Sequence, residues 1–194
     1  MYRTLAVLVR NRTGVLFRVA SLFSRRAYNI ESITVGRTET PEFSRMTLVV
    51  GEDAAACDQI CKQLSKLVDV VRVRDITDED IVARELALIK VAATPDQRQA
   101  IMQMANVFRA RVVDITNRTL TVEITGTEDK VDALIGLLQP YGLREVVRTG
   151  RIALNRGVRG MRGSLMAALA KSRQAALARA AAEATPAGQQ VARL

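Results

Sequence analysis

The 194 residues are 48% hydrophobic, with a mean hydropathy of +0.07, an ordinary soluble composition that supplies a core for one full domain or two small ones. Histidine is absent, which removes the commonest metal ligand and the commonest general acid or base near neutral pH. The net charge of +9 sits mostly at one end: residues from 151 onward carry +7 and residues 1–150 only +2, so the folded part is close to neutral and offers no broad face for a polyanion.

Residues 5–9 (LAVLV) are continuously apolar, as a strand buried on both faces requires, and the stretch is too short for a secretory h-region or a membrane span. Asn11 to Gly14 follows with turn chemistry. From Val15 the apolar set Val15, Val19, Leu22 and Phe23 recurs at helical spacing, and the helix ends near Ala27. Residues 30–35 and 46–50 read as an antiparallel pair around a polar connection that contains Pro41. A second helical stripe is formed by Cys57, Ile60, Cys61 and Leu64. These two cysteines, the only ones, share that face; they are expected to pack as reduced core thiols and cannot build a zinc cluster. Residues 68–73 close the unit as a strand, giving the order βαββαβ.

After an acidic bridge at Thr77 to Asp80, read as a linker, the order repeats. Residues 86–91 match the first strand, and Thr94-Pro95 supplies an N-cap and first position for a helix with the stripe Ile101, Met104, Ala105, Phe108. Residues 112–115 and 120–124 flank Asn117-Arg118 as a hairpin. Thr127 is placed to cap a last helix with the stripe Val131, Leu134, Ile135, Leu138, and residues 145–148 end this half as residues 69–72 end the first. The fold class is α+β: two tandem ferredoxin-like βαββαβ domains, residues 1–77 and 84–157. A basic Ala/Arg-rich tail follows at 158–194, read as a solvated or disordered extension, with a helix over 165–182 as the other possibility.

A turn leading from a buried strand into a helix presents unpaired N–H groups at the positive end of the helix dipole. That is a carboxylate-binding corner. Gly14 lets a ligand approach the main chain, and Asn11 opens the turn with an amide that both donates and accepts, as a free amino acid requires. Asn29, at the far end of the helix, is placed to serve the same ligand across a subunit interface, and Val15 and Leu16 offer apolar surface for an aliphatic side chain. Plain turn formation and core packing are the competing readings. RNA recognition, which uses the same element order, is disfavoured because the third strand, residues 44–50, has no aromatic side chain to stack on a base.

Residues 11–16 (NRTGVL), 22–32 (LFSRRAYNIES), 44–47 (SRMT) and 63–70 (QLSKLVDV) together resemble the regulatory small subunits of acetolactate synthase, also called acetohydroxyacid synthase, over residues 4–157. The resemblance implies an N-terminal ACT domain and a related C-terminal domain. It further implies a homodimer that binds valine or a related branched-chain amino acid at its interface through Asn11, Gly14, Val15, Leu16, Asn29 and Ile30. No catalytic site and no cofactor are expected in this chain. Thiamine diphosphate, Mg and FAD are expected in a large catalytic subunit that the small subunit activates and makes sensitive to feedback inhibition. Cytoplasmic location, no nucleic acid and no membrane complete the expectation; a stand-alone amino-acid sensor acting on another enzyme or on transcription is the alternative.

Overall fold

The computed structural model describes residues 2–157 and 160–183. Strand β1 (Arg3–Arg10) enters helix α1 (Val15–Arg25) through Gly14, and the hairpin β2 (Ser32–Arg37) and β3 (Phe43–Val50) leads to α2 (Ala54–Leu64) and β4 (Val70–Asp75). The sheet order is β2-β3-β1-β4, antiparallel throughout. Because side chains alternate along β1, Leu5, Val7 and Val9 face α1 and α2, where Val15, Val19, Leu22, Phe23, Ile60 and Leu64 meet them. Ala6 and Leu8 face the other way, into a second apolar layer with Phe43 and Ile76. Strand β4 starts at Val70, later than its sequence suggests. Val68 is 93% exposed, because residues 67–70 form a turn in which the Val70 N–H donates to the Leu67 carbonyl.

The second half repeats the order with β5 (Ile81–Ala92), α3 (Pro95–Val107), β6 (Arg111–Ile115), β7 (Thr119–Gly126), α4 (Glu128–Leu138) and β8 (Leu143–Arg148). The Thr94 N–H donates to Gln97 Oε1 at 3.2 Å, closing the expected N-terminus of α3. Thr127 occupies the N-cap of α4, but its side chain makes no capping bond. A strand not anticipated, β9 (Ile152–Asn155), pairs with the first residues of β5, so this sheet has five strands. The architecture is α+β, two tandem ferredoxin-like units.

The acidic bridge is a linker between β4 and β5, pinned by ion pairs: Asp78 with Arg3 at 2.9 Å, Glu79 with Arg74 at 2.7 Å and Asp80 with Arg156 at 2.9 Å. One further expectation is corrected: the beginning of the tail is packed. Helix α5 (Arg162–Glu183) places Leu165, 3% exposed, with Met161 on the outer face of the first sheet beside Ala6, Leu8, Phe43 and Ala153 of β9. Two large apolar side chains a turn apart are enough once a matching apolar face exists, and the sequence of the tail alone does not reveal that face. Residues 158–159 and 184–194 of the tail lie outside the described residues.

Candidate functional site

The turn between β1 and α1 is fixed by the main chain. Gly14, at φ +81°, is the N-cap of α1 and contributes no side chain to it. The Val15 N–H donates to the Arg12 carbonyl and the Arg18 N–H to the Gly14 carbonyl, while the N–H groups of Leu16 and Phe17 have no partner among the described residues. No acidic residue occupies the first turn, so its positive end is uncompensated by the chain. The Arg18 guanidinium lies over Gly14, close enough that a Cβ on the glycine would meet Nη1 at 3.0 Å, and it is held there by Asp69. The corner therefore presents free main-chain donors at the positive end of the helix dipole, an arrangement that takes an anionic group.

Asn11 is exposed, and its Nδ2 donates to the Pro41 carbonyl at 3.0 Å while its N–H donates to the Glu42 carbonyl at 2.7 Å, so it ties the β2–β3 hairpin to the corner. The Asn11 Oδ1 is left to accept. Val15 differs from the expectation: its side chain is 4% exposed and belongs to the core, so only its main chain faces the turn. Leu16 is 49% exposed and Phe17, not singled out from the sequence, 75% exposed, which puts two apolar side chains on the open side of the helix start. Asn29 is exposed and donates to Glu31 Oε1 at 2.7 Å; Ile30 is half-buried against the first core.

One chain does not bring these groups together. The eleven residues of α1 separate Asn11, Gly14, Val15 and Leu16 from Asn29 and Ile30, a length of about 16 Å at 1.5 Å per residue. Arg18, whose guanidinium lies over Gly14 and pairs with Asp69, and Glu31, which accepts from Asn29, escaped the sequence reading; the only signal for Arg18 is its i+4 spacing from Gly14. Elsewhere, burial pushes the Cys57 thiol up to about 12 and the Cys61 thiol to about 11, which makes both poor nucleophiles. Among the described residues no three His, Cys, Asp or Glu side chains are grouped to hold a metal ion, and no helix is long and apolar enough to cross a membrane.

Residues 5–72 match the profile of the AHAS small subunit-like ACT domain, and residues 84–157 match that of the small subunit of acetolactate synthase. Among curated proteins, the chain is 51% identical over 157 residues to a probable acetolactate synthase small subunit of Archaeoglobus fulgidus, covering 81% of this chain and 98% of that one. It is 50% identical over 158 residues to the acetolactate synthase small subunit of Bacillus subtilis, covering 81% and 92%. The crystal structure of the acetolactate synthase small subunit from Thermotoga maritima superposes with a TM-score of 0.75 at 42% identity, covering 82% of this chain and 99% of that one.

Proposed function

The chain belongs to the acetolactate synthase small-subunit family, and from that premise we propose that it activates a catalytic large subunit and confers feedback inhibition by valine or a related branched-chain amino acid. The observation that carries the effector reading is the pair of unpartnered N–H groups at Leu16 and Phe17 beside a glycine at φ +81°. A free carboxylate satisfies both donors and compensates the helix dipole. The Asn11 Oδ1 accepts from the ligand ammonium, and Leu16 lies against its aliphatic side chain.

The separation of the two candidate groups along α1 supports a site completed by a second copy, with Asn11, Gly14, Val15 and Leu16 from one protomer and Asn29 and Ile30 from its partner. Strand β2 suits that assembly: it is an edge of its sheet, and Ile33 and Val35 on it are exposed. Thiamine diphosphate, Mg and FAD belong, on this reading, to the large subunit. Inhibition then arises because the effector binds one arrangement of the dimer more tightly than another, the only way a ligand shifts such an equilibrium.

The test is reconstitution with the large subunit and titration with valine. Gly14→Asp puts a carboxylate where the ligand carboxylate would lie and should abolish the inhibition while the activation of the large subunit survives. A normal valine response from that variant would place the effector elsewhere.

A further inference from the structure

On the outer face of the first sheet, a groove of about 420 Å³ runs between β4 and α5. Its polar lining is basic: Arg10 at the end of β1, Arg72 on β4 and Lys171 on α5, with the Ser164 hydroxyl on the first turn of that helix. Neighbouring cations have acidic partners, Arg18 in Asp69 and Arg74 in Glu79, whereas Arg10, Arg72 and Lys171 have no ion pair among the described residues.

The local fold explains why the charges converge. Alternation along β1 sends Arg10 to the same face as Ala6 and Leu8. A register shift between Leu8 and Val9 in the β1–β4 pairing leaves Val71 without a partner, so Val71 and Arg72 both turn toward that outer face. Helix α5 closes the far wall with Lys171. Three like charges around one groove repel each other, and no acidic side chain among the described residues lines the groove to offset them. The arrangement calls for an anion.

We propose that the groove binds a small polyphosphate-bearing anion. A monocarboxylate brings one charge, and a single phosphate group at most about two, short of what three cations balance; two linked phosphates reach it. Guanidinium groups match phosphate oxygens in pairs of hydrogen bonds. The volume is that of a small-molecule site. Val71 and the 93% exposed Val68 supply an apolar wall for an organic group attached to the phosphates. Ser164 and Lys171 lie beyond residue 157, where the matched family profile ends, so the extension of this chain supplies one wall of the groove and the first sheet the other.

Calorimetric titration of the full chain with pyrophosphate at low salt tests this. Saturable binding, one anion per chain, is expected; Arg72→Gln and Lys171→Gln should each weaken it roughly tenfold, the loss of one charge-assisted contact. Arg72→Lys should recover part of the affinity, and Arg25→Gln, which removes the same charge from an exposed position at the end of α1, should leave it unchanged. No saturable heat up to about 10 mM pyrophosphate, or an equal loss in Arg25→Gln, would overturn the assignment. So would tighter binding of a short single-stranded oligonucleotide lost in the same variants, which would reassign the groove to nucleic acid.

Discussion

Gly150 shows how one absent side chain holds two domains together. It sits at φ +82° where the chain leaves β8, and a Cβ there would meet Ser32 Oγ at 2.6 Å and Thr34 Oγ1 at 2.9 Å on β2. The same hydroxyls bond across the junction: Thr34 Oγ1 donates to the Thr149 carbonyl at 3.3 Å, and Ser32 Oγ accepts from the Arg151 N–H at 3.2 Å. Gly150→Ala combines left-handed backbone strain with steric separation of these pairs and should cost about 2–3 kcal/mol. Gly157 is the control. It also has positive φ, +66°, but apart from its chain neighbours no atom of the described residues lies within 4 Å of its Cβ position, so Gly157→Ala should cost only the backbone term, about 1 kcal/mol. Urea denaturation of both variants separates the two contributions; equal costs would show that the contact with β2 contributes nothing.

At the scale of elements, α5 is the test of whether a helix weak by composition is held by packing. Leu165 is its most buried described side chain and rests on Leu8 and Phe43. Leu165→Ala removes that contact and should destabilise the protein by about 2 kcal/mol, at the low end for a buried leucine because the flanking grooves let the helix settle. A change below about 0.5 kcal/mol in chemical denaturation would mean that the helix only touches the sheet. The same helix marks the limit of what the sequence discloses. Strong periodicity made the buried face of α1 legible, since Val15, Val19, Leu22 and Phe23 are its buried set, although the helix ends at Arg25, short of Ala27. The buried β1 was equally clear. By contrast, β9 and the start of β5 pair only with each other, and their residues alternate too briefly to stand out from a linker. Of the site, the turn chemistry of Asn11 and Gly14 was readable because few residue types serve it. The inward course of the Val15 side chain was already favoured by the helical stripe, whereas the pairing of Arg18 with Asp69 depends on a contact across 51 residues that no local pattern announces.

The junction between the two halves of the molecule carries charge that ought to report its integrity. Glu85 on β5 is 7% exposed, with Arg148 at 3.3 Å; Asp132 and Glu128 of α4 face the same space, and Arg151 reaches across to Glu128 and to Thr4 Oγ1 of the first sheet. Burial raises the Glu85 carboxyl above the ordinary carboxylate value; Arg148 opposes this, and the Glu128 and Asp132 carboxylates add to it. Because the folded carboxyl holds its proton to higher pH than the unfolded one, the folded state binds more protons between the two values. Stability contributed by this group is therefore complete below the unfolded value, near 4.3, and declines as pH rises through the folded one. Asp75 titrates the other way. Its own burial would raise it, but hydrogen bonds from Thr77, Arg3 and Cys57 outweigh that and hold it below the usual range, so its contribution is lost only at pH below that of the Glu85 window. Glu85→Gln should thus gain on the parent as pH rises from about 4 toward neutrality, and the difference should level off once Glu85 is ionised in both states. Urea midpoints measured across that range decide it. A difference independent of pH would mean that Glu85 is solvated in solution and that the junction around Arg148 and Arg151 stands open.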